Sequence, residues 1–122
     1  MPIQVIQQNE PNTLVATIAA AGSLSAALHI PNGHEVVALL MPAVWTAAGI
    51  TFQASADKSA FGDVFAAGGT EYTLTVVATN YVVIPTGSLH GARYIKVRSG
   101  TTGTPVAQAA ERTITIVTKP TA

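Results

Sequence analysis

Short segments with strict two-residue alternation recur along this chain, and they limit the folds that it can adopt. In Ile50–Ser55, Tyr72–Val77 and Arg112–Val117, apolar side chains at every second position alternate mostly with Thr, Ser or Gln. Successive side chains of a strand point to opposite faces, so this pattern is typical of half-buried antiparallel strands. Further, less regular strands are predicted at Leu14–Ala20, Leu24–Ile30, Glu35–Met41 and Tyr81–Pro85.

Glycine and proline turns separate these segments. Pro31-Asn32-Gly33, Pro85-Thr86-Gly87 and the loop Gly100–Pro105 each combine residues that favour chain reversal. Turns among short strands, at intervals of roughly 8–12 residues, are typical of sandwiches and barrels. We therefore predict one domain over residues 1–122: an all-β, antiparallel, jelly-roll-like β-sandwich of about eight strands. Residues 1–12 are expected to form a flexible N-terminal arm, able to add a strand to a neighbour's sheet edge.

The chain is weakly charged for its length. Charged residues make up 10% of its 122 residues and the formal net charge is zero, whereas an average soluble domain has about 25% charged residues. A surface of this kind is poorly protected against association. Two interpretations stay open: a surface that partner proteins cover, or a soluble domain with Thr, Ser, Gln and Ala outside. Neither a basic patch for nucleic acid nor an apolar run of membrane-spanning length is present.

The few charges are unevenly distributed along the sequence. Residues 1–90 contain five acidic residues and one basic residue, and residues 91–122 contain five basic residues and one acidic residue. If folding preserved this separation, it would favour head-to-tail contacts between copies of the chain.

The segment GARYIKVRSG, residues 91–100, holds three of the six basic residues. In a strand, alternation turns Ile95 and Val97 toward the core and the neighbouring polar side chains outward. Such a face is either a solvated strand surface or a protein contact, because Arg and Tyr commonly anchor interfaces. The candidate interaction residues are Tyr94, Lys96 and Arg98 on the outer face and Arg93 at the rim.

Residues for catalysis or metal binding are sparse. The chain has no cysteine and no nucleophile-elbow, P-loop, dinucleotide or zinc-protease motif. His29 and His34 flank a turn next to Glu35, and Asp57 and Asp63 bracket a loop in which Ca²⁺ is conceivable, but neither set has the spacing of a dedicated metal site. We therefore predict a protein that is not an enzyme and that needs no metal or cofactor.

Two segments resemble the discoidin-like, galactose-binding-like sandwich. They are ITFQASADKSAFGDVF, residues 50–65, and GARYIKV, residues 91–97. This resemblance implies a carbohydrate-binding module, with Trp45 or Tyr94 as an exposed platform and Asp57 and Asp63 contacting Ca²⁺ or sugar hydroxyls. The apolar neighbours of Trp45 instead favour a place in the core.

A second resemblance covers more of the chain. MPAVWTAAGITFQAS and GARYIKVRSGTTGTPVAQAAERTITIV are similar to small structural proteins of tailed bacteriophages. The matching positions are Pro42, Trp45, Thr51–Gln53, Gly91–Val97, Ser99–Thr101 and Pro105–Ala109.

This second resemblance implies a virion structural protein, assembled in the host cytoplasm, that decorates and stabilises the head. Its expected partners are the major capsid protein or other virion proteins and further copies of itself, as a homo-oligomer such as a trimer. The alternatives are a component of the tail or of the head-tail connector, or the carbohydrate-binding module described above.

Overall fold

Two four-stranded antiparallel sheets form the protein, as seen in a computed structural model that describes residues 11–121. The strands are β1 (Asn12–Ile18), β2 (Leu28–His29), β3 (His34–Leu40), β4 (Ile50–Ser55), β5 (Gly62–Asp63), β6 (Tyr81–Val83), β7 (Tyr94–Ser99) and β8 (Arg112–Pro120). Sheet A has the order β1-β8-β3-β6, and sheet B has the order β2-β7-β4-β5. The predicted all-β antiparallel sandwich is confirmed.

Small and branched aliphatic side chains fill the space between the sheets. Ile114 and Ile116 of β8 face inward from sheet A, and Ile95 and Val97 of β7 face inward from sheet B; all four are fully buried. Phe52 is the largest fully buried side chain. Burial of these alternate positions is what the two-residue period predicts for strands with one dry face.

Trp45 lies half-buried against this core, as its apolar neighbours predicted. Its indole Nε1 donates a hydrogen bond to the carbonyl oxygen of Ala48 at 3.1 Å. An indole with its N–H used inside its own loop does not present the exposed platform that the carbohydrate-binding alternative requires of this residue.

One predicted strand is absent. Tyr72–Val77 buries Leu74 and Val76, but its backbone pairs only at separate points, with Val64 and with Ile50. The alternation of apolar and polar residues in this segment therefore matches which side chains are buried, although no neighbouring strand pairs continuously with it. The Leu24–Ile30 strand is shortened to β2, and a single bridge joins Leu24 to Arg98.

The remaining segments run as loops. The loops Pro42–Ala48 and Ala107–Glu111 contain no helix. Within residues 11–121 there is accordingly no helix that is long and apolar enough to cross a membrane. Most of the predicted N-terminal arm, residues 1–10, lies outside the described residues, and Asn12 already belongs to β1.

Candidate functional site

The outer face of sheet B contains most of the candidate residues, and we call it the ionic face. It consists of Thr51, Gln53, Asp63, Tyr94, Lys96 and Arg98. In register, Arg98 pairs with Thr51, and Lys96 pairs with Gln53, whose other neighbour is Asp63. The alternation in β7 therefore placed these side chains on the correct side of the sheet.

Arg98 is on that side but is only 6% exposed, so the prediction that it offers a free contact is wrong. Its Nη2 donates to Asp63 Oδ1 at 2.6 Å, and its Nη1 donates to Glu71 Oε2 at 3.1 Å. Asp63 belongs to the edge strand β5, and Glu71 lies in the segment between β5 and β6. A guanidinium with charged partners on two sides is an internal connection between loops and sheet.

A second loop closes over the same cluster. The Thr102 backbone N–H donates to Glu71 Oε1 at 3.1 Å, and the Thr102 hydroxyl donates to Asp63 Oδ2 at 3.0 Å. The Arg98 hydrogen bond is the main cause that holds the pKa of Asp63 below its usual 3.8. The asymmetry of charge along the sequence is thus partly neutralised here, because acids from its first part meet an arginine from its last part.

The other candidate residues are placed differently. The Tyr94 ring lies 5.0 Å from the His29 ring, centroid to centroid, and Lys96 Nζ lies 4.4 Å from the centroid of the Phe61 ring. Both Tyr94 and Lys96 are half-buried by these contacts. Arg93 is exposed at the rim, as predicted. The role of these three residues in binding stays a prediction.

Arg93 also lines a shallow groove of about 260 Å³ together with His34 and His90. The groove lies between the turn before β3 and the segment before β7. His34 Nδ1 lies 3.0 Å from the Thr118 hydroxyl oxygen, and this hydrogen bond fixes the orientation of the His34 ring in the groove.

The residues considered for metal binding are occupied separately. Asp57 Oδ1 accepts hydrogen bonds from the backbone N–H groups of Ser59 and Ala60. The Ala60 hydrogen bond is the largest cause that lowers the pKa of Asp57. Asp63 is bound by Arg98 instead, and His29 packs on Tyr94. Within the part of the chain that the structure describes, no three His, Asp or Glu side chains gather as metal ligands would.

The outer face of sheet A is chemically different, and we call it the uncharged face. It consists of Thr13, Val15 and Thr17 of β1, Thr113, Thr115 and Val117 of β8, Ala38 and Leu40 of β3, and Tyr81 and Val83 of β6. Charged residues of this phase lie at the ends of the strands: Glu111 just before β8, Lys119 near its last residue, and Glu35 of β3, which is opposite Lys119 and buried.

Cross-strand register arranges these side chains in two rows that cross the whole sheet. One row is Val15-Thr115-Leu40-Tyr81, and the other is Thr13-Val117-Ala38-Val83. Large apolar side chains remain exposed in both rows: Val15 by 55%, Leu40 by 41%, Tyr81 by 58% and Val83 by 69%. Contiguous exposed apolar surface of this kind commonly marks a protein contact.

Sequence reasoning did not identify the uncharged face. Alternation gave the phase of Thr113, Thr115 and Val117, but the face exists only because β1, β8, β3 and β6 lie side by side. The available signal was that Thr113, Thr115 and Val117 and their counterparts in the other segments carry no charge. These residues form a surface only when the strand order is known.

Comparison with protein-family models, with curated proteins and with solved structures gave no match for this chain. The two resemblances read from the sequence therefore stay predictions, and function has to be inferred from the chemistry of the two outer faces.

Proposed function

We propose that the protein is a structural subunit of a tailed-bacteriophage virion, which attaches to the capsid surface and to its own copies through the uncharged face of sheet A. The observation that carries this proposal is that the two rows crossing all four strands contain no charged residue and expose Val15, Leu40, Tyr81 and Val83. The assignment to a virion comes from the sequence resemblance, and the face supplies the means of attachment.

The energetics favour adhesion at this face. Burying apolar surface contributes roughly 25 cal/mol per Å², and hydroxyl groups are cheaper to desolvate than charges. The side chains sit on regular strands, so little backbone freedom is lost on docking. Many weak contacts of this kind add up when a subunit is repeated over a symmetric particle.

The ionic face of sheet B is less suited to attachment than the uncharged face of sheet A. Its strongest charges, those of Arg98, Asp63 and Glu71, already bind one another. Detaching them to contact a partner would break connections that hold loops to sheet B. Tyr94, Lys96 and Arg93 remain as a smaller proposed contact, next to the main one on sheet A.

The test is co-sedimentation of the purified protein with empty capsids of the phage that encodes it. We expect Val83→Lys to lower the apparent affinity at least about tenfold, which corresponds to about 1.4 kcal/mol. Val44→Lys is the matched control, because Val44 is 63% exposed but lies in a loop outside either sheet. Both variants should keep the unfolding midpoint of the native protein.

Equal occupancy of the native protein and Val83→Lys on capsids would exclude the uncharged face as the attachment surface. Absence of the native protein from the capsid fraction would contradict the head-decoration role. Binding to immobilised glycans that Tyr94→Ala abolishes would instead support the carbohydrate-binding alternative.

A further inference from the structure

β1 is the one long edge strand among the described residues. Sheet A ends at β1 and at β6, and sheet B ends at β2 and at β5. β1 has seven residues, whereas β6 has three and β2 and β5 have two each. Between residues 11 and 121, no strand pairs with the outer side of β1, so its free N–H and C=O groups are available to another strand.

β1 also lacks the features that usually protect an edge strand from pairing. Such strands commonly contain a lysine, an internal proline or a bulge. The β1 sequence, NTLVATI, has no charged residue and no proline, and its register with β8 runs from Asn12 to Ile18 without a shift. The edge is therefore regular, uncharged and open.

The β1 sequence is self-complementary about Val15. In an antiparallel pair of two β1 strands with Val15 opposite Val15, Thr13 lies opposite Thr17 on the outer side, and Leu14 lies opposite Ala16 on the core side. Val-Val and Thr-Thr pairs are favourable cross-strand neighbours, and no like charges meet. A two-fold axis through Val15 produces this register without any distortion of the strand.

We infer that two copies of this chain bind each other by antiparallel pairing of their β1 edges about a two-fold axis at Val15. The two four-stranded A sheets then form one continuous sheet. The row Val15-Thr115-Leu40-Tyr81 of one copy continues at the axis into the same row of the other. The uncharged face is doubled, and both halves point to the same side.

A second copy fits this edge better than a charged peptide or a nucleic acid. The edge offers backbone hydrogen bonds and Val and Thr side chains but no charge, and a second β1 strand complements it in sequence. This inference rests on the self-binding part of the proposed function and specifies its geometry. It is tested without capsids, so its failure and the failure of capsid attachment are separate results.

Cysteine cross-linking tests the register directly, because the native chain contains no cysteine. In the proposed dimer the two Val15 Cα atoms lie about 4.5–5.5 Å apart, which is within the range that a disulfide spans. Val15→Cys should therefore form a disulfide-linked dimer on mild oxidation. Thr17→Cys should not, because its two copies lie about 13 Å apart along the strands, but it should cross-link when mixed with Thr13→Cys.

Charge substitution tests the same contact without a covalent bond. Val15→Lys alone and Val15→Glu alone should each sediment as a monomer at concentrations where the native protein is a dimer, because like charges meet at the axis. An equimolar mixture of the two variants should restore the dimer. Val83→Lys, on the same face but at the opposite edge, should keep the dimer.

Three results would overturn the inference. The native protein could sediment as a monomer at all concentrations up to about 1 mM, which corresponds to a free energy weaker than about −4.1 kcal/mol. Val15→Cys, Thr17→Cys and Val83→Cys could cross-link equally, which indicates random collision. Val15→Cys could cross-link with Ile6→Cys in place of a second Val15→Cys, which would assign the edge to the amino-terminal residues.

Discussion

The two sheets of the sandwich bury the same kind of aliphatic core but differ on their outer faces. On sheet B, Arg98, Asp63 and Glu71 bind one another beneath the Gly100–Pro105 loop. On sheet A, among residues 11–121, Val15, Leu40, Tyr81 and Val83 are exposed in two rows that contain no charge. Charges that are conspicuous in the sequence bind one another on sheet B, whereas the two exposed rows on sheet A contain none.

The difference follows from where the partners of the charged side chains lie. On sheet B, Asp63 of the short edge strand β5 and Glu71 of the segment after β5 bind Arg98. Thr102, from the segment after β7, binds both carboxylates. A buried guanidinium is costly unless it has such partners. The two rows of sheet A carry no charge whose burial would have to be balanced.

The largest effect is expected from breaking the ionic face. Arg98→Met should lower the free energy of unfolding by about 3 kcal/mol, because it leaves two partly buried carboxylates without their partner. Urea unfolding at neutral pH measures this change. Arg93→Met, an equivalent change at an exposed position in the same segment, should stay within about 0.5 kcal/mol of the native value. If the two substitutions had equal effects on stability, Arg98 would not be bound inside the protein and could again be a free contact residue.

A smaller loss is expected from the loop that closes over the ionic face. Gly100 has φ +89°, and a Cβ there would lie 2.5 Å from the carbonyl oxygen of Thr104. Gly100→Ala should therefore cost about 2 kcal/mol of unfolding free energy. Gly103, in the same loop, has no atom within 4 Å of an added Cβ, so Gly103→Ala is the control. Thermal unfolding that shifts equally for both would show that the loop is not held in place.

The smallest expected effect is the loss of the Asp63 contribution to stability at low pH. The pKa of Asp63 is lowered in the folded protein, chiefly by Arg98, so its contribution to stability is present above its ordinary 3.8 and is lost as the pH falls below that value. Asp63→Asn should cost about 1 kcal/mol at pH 7, since the carboxylate is partly exposed. The difference between native and variant should shrink between about pH 4 and pH 2. If the difference in stability stayed constant across this range, the ionised Asp63 carboxylate would not be contributing to the stability of the cluster.

Local pattern was sufficient to predict much of the fold. Alternation placed Ile95 and Val97 inside and Lys96 outside, because the side-chain period of a strand depends on its own residues alone. The Tyr72–Val77 segment shows the limit of this reasoning. It has the same alternation, yet only scattered backbone pairing, since pairing depends on a neighbouring strand that local sequence does not specify.

The candidate site was less predictable for the same reason. The burial of Arg98 depends on Glu71 and Asp63, which lie far from it in the sequence. The uncharged face depends on the order of four strands. Neither property belongs to one segment, so a pattern confined to one segment identified the basic cluster and missed the surface opposite it.

The two rows on the outer side of sheet A contain no group that is charged at neutral pH, and this determines how an attachment made there responds to salt and temperature. Added salt weakens attraction between exposed charges over a screening length of about 8–10 Å, but it leaves dispersion and water release largely intact or strengthens them. A subunit held in this way would stay on its particle through changes in salinity that detach proteins bound by charge. Chilling would loosen it instead, since the hydrophobic contribution weakens at low temperature.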